Sequence, residues 1–284
     1  MATFYNQAIL SYNNNVTNSN IVTGELLEVL SATKNAVPES YSAGDDITYI
    51  VSIVNSGSVA YTGLTLTDNL GAYEFGEETV TPLTYEEGTV RYYVNGEFRP
   101  APTVTAGPPL VISGISVPAN GNAIIVYSAR VNSYAPLVTD STITNIVTIG
   151  GGGITTPITA EEEITTTSEA NLSITKSINP TSVVENGEIT YTFVIQNLGN
   201  APADVGDNVI LTDIFDPILE ISSVTFNGVN WNSPAQYTYD EETGLFSTVS
   251  GAITVPAATF TQNEETGVWS ATPGISVLTV TGTV

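Results

Sequence analysis

Apolar and polar residues alternate along many short segments of this chain. The alternation has a period of two and favours β-branched and aromatic residues, which is typical of half-buried β-strands. No segment shows a helical period, and the pairs Asn95-Gly96 and Asn227-Gly228 each follow an apolar segment, as in two-residue hairpins. The pattern therefore predicts an all-β protein. Its clearest strands are ITYIVSIVN (47–55), NAIIVYSARV (122–131), ITYTFVIQN (189–197) and ISVLTVTGTV (275–284).

The chain contains an internal repeat. SATKNAVP, which begins at Ser31, recurs as SITKSINP 142 residues later, and an ITY segment and an LTD segment recur in the same order. Short strands separated by Gly- and Pro-containing turns favour two tandem Ig-like β-sandwiches. We predict four parts, which are an N-terminal segment (1–25), a first domain (26–150), a linker (151–170) and a second domain (171–284).

The second copy of the repeat lacks a final strand. The first copy continues after NAIIVYSARV into TITNIVTI (142–149), whereas the second ends at Val284. TFYNQAIL, near the N-terminus, superposes on TITNIVTI with Thr3 on Thr142 and Asn6 on Asn145. We therefore predict that residues 1 to 12 complete the second domain of another molecule and so build a head-to-tail filament. The predicted donor strand is Thr3, Phe4, Tyr5, Asn6, Gln7, Ala8, Ile9 and Leu10.

A simpler alternative is that this N-terminal segment is a loose or intramolecularly packed extension. Its many Asn residues indicate flexibility, but a donor strand also has to be flexible before it docks. The two interpretations therefore remain open at this point.

Composition excludes several classes of function. Five Lys and Arg against 29 Asp and Glu give a formal net charge of −24, which opposes binding to nucleic acid and to anionic membranes. The absence of His and Cys removes imidazole bases, thiol nucleophiles and the usual zinc ligands. There is no basic leader region and no apolar run of membrane-spanning length, so we expect no membrane insertion, and the sequence leaves the export route open.

The two lysines of the chain, Lys34 and Lys176, occupy the same position in the two copies. Each is matched by an aspartate at the end of the LTD strand, Asp68 or Asp213. Lys, Asp and Asn on adjoining strands resemble the set that forms spontaneous isopeptide bonds in Gram-positive surface proteins and pilins. That chemistry requires burial, because an apolar core favours the neutral amine and the neutral acid.

The predicted bonds join Lys34 to Asn145 within the first domain and Lys176 to Asn6 of a neighbouring subunit, with Asp68 and Asp213 as the acids. A plain ion pair between the lysine and the aspartate is the alternative. The acid assignment also stays open, because Asp46 and Glu188 are equivalent residues that precede the ITY strands.

The order of these motifs resembles a prokaryotic surface-protein repeat family, catalogued as domain of unknown function eleven. The matching features are a strand that ends in Lys with Pro four residues later, then ITY, NxG, LTD and a late TN, and all but the last occur twice. The resemblance implies an extracellular structural role, here as a self-assembling fibre on a prokaryotic cell or spore surface.

Two further functions compete with the fibre. Trp231, between Asn230 and Asn232, could stack on a sugar, which would make the chain a carbohydrate- or surface-binding adhesin that does not polymerise. Paired acidic residues, including Glu161–Glu163 and Asp240–Glu242, could bind calcium, but none lies in an EF-hand loop and solvated hairpin tips explain them better. We expect no cofactor and no enzymatic turnover, since no spacing singles out a catalytic carboxylate pair.

Overall fold

The computed structural model describes residues 2–26 and 28–284, and almost all regular structure in them is β. One turn of 3-10 helix, η1 (Val205–Asp207), is the sole helical element among these residues. No helix in this described part is long and apolar enough to cross a membrane. The strands form an N-terminal ribbon followed by two Ig-like β-sandwiches in tandem, so the predicted all-β fold class is confirmed.

The N-terminal ribbon is a long antiparallel hairpin whose turn lies at Asn13-Asn14. Its outer strands pair with each other, and so do its inner strands. Every residue whose burial is described between Thr3 and Thr23 is exposed. The ribbon consists of β1 (Ala2–Asn6), β2 (Ile9–Tyr12), β3 (Asn15–Asn18) and β4 (Val22–Leu26).

The first sandwich contains two six-stranded sheets. One sheet has the order β13-β12-β16-β7-β5, with β11 also paired to β16, and the other has the order β14-β15-β8-β17-β18-β6. The strands are β5 (Leu30–Val37), β6 (Ser40–Tyr41), β7 (Asp46–Asn55), β8 (Tyr61–Asp68), β9 (Tyr73–Phe75), β10 (Glu78–Val80), β11 (Leu83–Tyr85), β12 (Arg91–Val94), β13 (Glu97–Arg99), β14 (Thr103–Thr105), β15 (Leu110–Val117), β16 (Gly121–Val131), β17 (Thr142–Gly151) and β18 (Ile158–Thr166).

The period-two alternation of the sequence accounts for this packing. Along β7 every second residue from Ile47 to Ile53 is buried, and the same holds along β16 and β17. These side chains form one core between the two sheets. The Asn95-Gly96 and Asn227-Gly228 pairs form the predicted two-residue turns, with positive φ at both positions.

The second sandwich has one full sheet and one short one. The full sheet has the order β19-β20-β28-β22-β23, whereas the facing layer is only β21-β25-β24, with β26 and β27 as a separate hairpin. The strands are β19 (Leu172–Asn179), β20 (Glu188–Asn197), β21 (Thr212–Ile214), β22 (Glu220–Phe226), β23 (Val229–Asn230), β24 (Tyr237–Asp240), β25 (Leu245–Thr248), β26 (Thr259–Gln262), β27 (Trp269–Thr272) and β28 (Gly274–Thr283).

The stretch 151–170, which the sequence predicts to be a linker, contains a strand of the first sandwich. That strand is β18, which pairs along its whole length with β17 and makes a parallel bridge to β6. Its charged run, Glu161–Glu163, is therefore part of a strand and not of a hairpin tip. Because side chains alternate between faces, two of the three carboxylates point to solvent, and the strand fits at the sheet edge.

The two sandwiches contact each other through the β26–β27 hairpin and the loop after β20. The backbone N–H of Trp269 donates to the carbonyl of Ser133 at 2.8 Å, and Gln262 Nε2 donates to the hydroxyl of Tyr73 at 3.0 Å. The amide of Asn200 donates to the carbonyl of Thr167 at 2.6 Å.

Candidate functional site

Lys34 lies in a closed polar cluster inside the first sandwich. Its Nζ donates to Asp68 Oδ2 at 2.9 Å, and both side chains are 0% exposed. The hydroxyl of Tyr127 donates to the same carboxylate oxygen, and the backbone N–H of Leu70 donates to the other at 2.7 Å. Lys34 Nζ also lies 4.6 Å from the centroid of the Tyr49 ring. The strands β5, β7, β8 and β16 thus meet at one buried carboxylate.

Asn145, on β17, is the fifth strand-borne polar residue of this region. Its Oδ1 accepts from the backbone N–H of Gly71 at 3.3 Å, while its buried Nδ2 has no hydrogen-bond partner. The hydroxyl of Tyr49 is likewise buried and unpaired. A buried amide donor without a hydrogen-bond partner destabilises the folded state, and the Nδ2 of Asn145 carries this cost.

Burial governs the ionisation of this cluster. Loss of solvation lowers the pKa of Lys34 to about 8, against the opposing effects of the Asp68 and Glu162 charges. Burial raises the pKa of Tyr127 well above its usual range, and the neighbouring Asp68 charge raises it further. Burial also raises the pKa of Tyr49, which the nearby Asn145 side chain partly offsets. At mildly alkaline pH a neutral amine therefore lies beside protonated phenols.

This arrangement suits amide exchange. In such an exchange the neutral Lys34 amine would attack Cγ of Asn145, the Nζ–Cγ bond would form, the Cγ–Nδ2 bond would break and ammonia would leave. Asp68, which accepts from Lys34 Nζ and from the Tyr127 hydroxyl, would carry the proton from the amine to the leaving nitrogen. The geometry brings Lys34 and Asp68 together as predicted and adds two tyrosines that the prediction lacked.

Lys176 forms an incomplete version of this cluster in the second sandwich. It pairs with Asp213, but the Lys176 side chain is 39% exposed and that of Asp213 is 19% exposed. Aromatic rings surround the ammonium, with Tyr191 at 4.4 Å and Phe215 at 5.4 Å from Nζ. Val280 occupies the register position opposite Tyr191 that Tyr127 occupies opposite Tyr49. This site therefore has the lysine and the acid but no second tyrosine.

The second sandwich is open beside this lysine. In the first sandwich β8 pairs with β15 on one side and β17 on the other, whereas the equivalent β21 pairs only with β25 among the described residues. Every residue of β19 is exposed, although its counterpart β5 alternates toward the core. A groove of about 330 Å³ separates β19 from β21. Its lining includes Leu172, Ile174, Ile195, Ile210, Leu211 and Ile253.

The predicted donor strand is divided between two strands. Thr3 to Asn6 lie in β1 and Ile9 and Leu10 lie in β2, with Gln7 and Ala8 between them. In the single chain this segment is paired within the ribbon, β1 with β4 and β2 with β3, and its docking on another molecule stays a prediction. Asn6 is exposed and lies opposite Val22. The apolar side chains Phe4, Tyr5, Ile9 and Leu10 are also exposed.

The other candidate residues lie away from the lysines. Asp46 faces Arg130 at the surface, with 3.8 Å between Oδ1 and Nε, and Glu188 is exposed, so Asp68 and Asp213 are the acids in contact with lysine. Trp231 stacks on Phe226 with 4.8 Å between ring centroids, so this face of its ring is covered by the protein and is not free to stack on a sugar. No group of three acidic side chains within residues 2–26 and 28–284 is arranged to hold a metal ion.

Sequence reasoning missed Tyr49, Tyr127 and Glu162 as members of the lysine cluster. Tyr49 could have been found, because it belongs to the repeated ITY segment. Tyr127 is not repeated, and Glu162 lies in the stretch interpreted as a linker, so the sequence carried no signal for either.

No protein-family model and no curated protein matches the chain. Among solved structures, it is similar to a 35 kDa C-terminal fragment of the major pilin of Streptococcus agalactiae (12% identity, TM-score 0.35, 57% of this chain and 63% of that one). It is also similar to the pilus backbone of Streptococcus pneumoniae (12%, TM-score 0.34, 86% and 55%). A family 123 glycoside hydrolase from Clostridium perfringens matches as well (8%, TM-score 0.30, 49% and 28%). The chain spans less than two thirds of each, and the likeness is one of general β architecture.

Proposed function

We propose that this chain is the structural subunit of an extracellular filament on a prokaryotic cell or spore surface. The N-terminal ribbon of one molecule completes the second sandwich of the next. One observation carries the proposal, namely that the second sandwich leaves open the position that β17 fills in the first, while the ribbon exposes a segment with the pattern of β17. Unpaired edges invite strand addition from another chain.

The inward positions of the two segments match. In β17 the buried side chains are Ile143, Asn145, Val147 and Ile149. With Thr3 placed on Thr142, the corresponding residues of the ribbon are Phe4, Asn6, Ala8 and Leu10. An asparagine thus lies between apolar side chains at the same step in both. Because Val147 lies opposite Asp68 in the first sandwich, Ala8 is expected opposite Asp213 in the complex.

The short connection after the ribbon favours exchange between molecules. Only residues 27–29 separate β4 from β5, and such a connection reaches about 13 Å at most. The ten-residue strand β7 alone is about 33 Å long. The base of the ribbon therefore stays near the start of β5, which favours contact with the second sandwich of another molecule. Repeating this head-to-tail contact gives an open filament.

The contact can become covalent by the reaction described for the first sandwich. Docking of the ribbon would bury Lys176 and place Asn6 beside it, in the role of Asn145. The Lys176 Nζ–Asn6 Cγ bond forms as ammonia leaves, so no oxidant or cofactor is required. The same bond between Lys34 and Asn145 would lock the first sandwich internally. Each filament would then be one covalent chain.

Two neighbouring residues of the ribbon provide a matched test of assembly. Leu10→Asp places a charge on the face that enters the groove, whereas Ile9→Asp places it on the opposite face, and both residues are exposed in the free subunit. We expect the Leu10 variant to stay monomeric and the Ile9 variant to form filaments, as judged by electron microscopy and sedimentation. Equal assembly of the two variants would refute the proposal.

The covalent step has its own test. Asn6→Ala is expected to form filaments that fall apart to monomers on boiling, while the unaltered chain gives multimers lighter by one ammonia for each junction and by one more for each Lys34–Asn145 bond. The mass of every species under denaturing conditions decides the matter. If the boiled unaltered filament contains only monomers of full calculated mass, neither isopeptide bond forms.

A further inference from the structure

In the first sandwich the last two strands act as one unit. β17 pairs with β8 on one sheet, and β18 lies against β5 of the facing sheet. β18 also bridges in parallel to β6, where Thr165 lies opposite Ser40 and Thr166 opposite Tyr41. Tyr41 is fully buried there, and its hydroxyl donates to the carbonyl of Pro136 at 2.7 Å. The hairpin thus closes both the sheet edge and the lysine-bearing strand.

In the part of the second sandwich that the structure describes, nothing takes the place of either strand of such a hairpin. The edge of β21 is open where β17 would pair, and β19 is exposed where β18 would cover it. The residues equivalent to β6 are Ser182 and Val183, which form no strand, and Val183 is 41% exposed. Adding β1 alone would leave β19 and Val183 uncovered.

The ribbon has the strand register of the β17–β18 hairpin. In the first sandwich Thr142 lies opposite Thr165, and Asn145 lies opposite Glu162. In the ribbon Thr3 lies opposite Glu25, and Asn6 lies opposite Val22. Both pairs are antiparallel and free of bulges over this range, so when β1 is placed on β17, β4 falls on β18, whereas the register of β2 with β3 is shifted by one residue.

The side chains that face each other on β1 and β4 are also complementary in size. Ile143 and Ile164 are opposite each other and buried in the first sandwich. Their counterparts are Phe4 and Gly24, and the Phe4 ring lies so close over Gly24 that an added Cβ would come within 2.3 Å of it. A glycine inside a strand is unfavourable unless something packs closely there. The pair of one large side chain and one glycine in the ribbon thus corresponds to the two facing isoleucines of the first sandwich.

From these observations we propose that the ribbon docks as a two-stranded unit, with β1 and β2 along the free edge of β21 and β4 across β19. In this complex Glu25 lies opposite Ser182 of the acceptor, in the way that Thr165 lies opposite Ser40. Val22 takes the place of Glu162, so the junction lysine has one carboxylate fewer nearby than Lys34 has. The inference rests on the proposed function, because it specifies how the partner subunit is bound.

Paired cysteines test the inference, and the chain has no native cysteine to interfere. Ser11→Cys with Ile210→Cys probes the edge of β21, by analogy with Gly150 opposite Thr65. Glu25→Cys with Ser182→Cys probes the second strand. Thr23→Cys with Ser182→Cys is the register control, because two residues along a strand add about 7 Å. Filaments of each variant are oxidised, and disulfide-linked peptides are identified by mass spectrometry after digestion.

We expect the Ser11–Ile210 and Glu25–Ser182 pairs both to link, and the Thr23–Ser182 pair to lose most of that yield, since cysteines more than about 7 Å apart are not bridged. Linkage of the Ser11–Ile210 pair alone would overturn the two-stranded unit while leaving donor-strand assembly in place. If neither pair links and no filaments form, both proposals fail together.

Discussion

The lysine clusters of the two sandwiches derive from the same repeat but have different surroundings. Lys34 and Asp68 are sealed in the core, with a second tyrosine bound to the carboxylate. Lys176 and Asp213 form the same pair half-exposed, with Val280 in place of that tyrosine. Among the described residues, the β17–β18 hairpin of the first sandwich has no counterpart in the second. The same lysine–aspartate motif is therefore sealed in one sandwich and partly exposed in the other.

Replacing the carboxylates of Asp68 and Asp213 is expected to give the largest difference in stability between the two sandwiches. Asp68→Asn leaves a buried amine without its counter-ion and is expected to destabilise the first sandwich by about 3 to 5 kcal/mol. Asp213→Asn, beside a half-exposed lysine, should cost less than about 1 kcal/mol in the free subunit. Urea unfolding of the Leu10→Asp, Asn145→Ala, Trp269→Phe background measures both, since Lys34 keeps a free amine there, far-UV circular dichroism follows the whole chain and fluorescence of Trp231 follows the second sandwich. Equal losses would contradict the comparison.

Adding the ribbon as a separate peptide should remove much of the difference between the two sandwiches. A peptide of residues 2–26, added at about a hundredfold its dissociation constant, is expected to stabilise the second sandwich of the Leu10→Asp protein by about 3 kcal/mol. The first sandwich, which already has its hairpin, should not respond. Tryptophan fluorescence during thermal unfolding reports the shift. A peptide that carries Leu10→Asp is the control, and an equal shift with that peptide would argue against docking by this face.

The pH dependence of the first sandwich tests the burial of Lys34. Asn145→Ala prevents the isopeptide bond and leaves the amine free to titrate. Folded Lys34 loses its proton near pH 8 while the unfolded lysine keeps it until about pH 10.5, so the unfolded state binds more protons between these values. The Lys34 contribution to stability should therefore rise by about 2 kcal/mol from pH 8 to pH 10. From about pH 9 upward the raised pKa values of Tyr41, Tyr49 and Tyr127 oppose this rise, because only the unfolded phenols ionise there, so the Lys34 contribution is measured as the difference from a variant without the amine.

Urea unfolding at several pH values measures this rise. The double variant Lys34→Met, Asn145→Ala is the control, because it lacks the titrating amine and should show only the fall toward pH 10 that the buried tyrosines cause. If the profile of Asn145→Ala shows the same fall, then Lys34 is not buried as described.

The smallest expected effect concerns Tyr127. Tyr127→Phe removes one hydrogen bond to the Asp68 carboxylate and should cost the first sandwich about 1 kcal/mol. It should also lower the fraction of molecules that have lost ammonia at the Lys34–Asn145 site, as read by intact mass in the Leu10→Asp background. The conservative change Val280→Ile in the second sandwich is the control. A Tyr127→Phe chain with unchanged stability and mass would exclude a role for this hydroxyl.

Much of the fold and part of the site followed from local signals. The repeat placed Lys34 with Asp68 and Lys176 with Asp213, and both pairs are in contact. The β18 strand was missed because its glutamates give a polar composition typical of a linker, although only alternate ones face solvent. The pairing of β1 with β4 was missed because β4 has few apolar residues and includes Gly24, which makes structural sense only under the Phe4 ring.

The sequence by itself determined the β class, the two-copy organisation and the identity of the lysine–aspartate pairs, because these depend on residue type and spacing along the chain. The tertiary structure alone decided how deeply each pair is buried, and that Tyr127 and Glu162 lie near Lys34. It also decided that, among the described residues, β21 pairs only with β25 and every residue of β19 is exposed. Burial and pairing depend on which strands meet across the sandwich, and such contacts join residues far apart in the sequence.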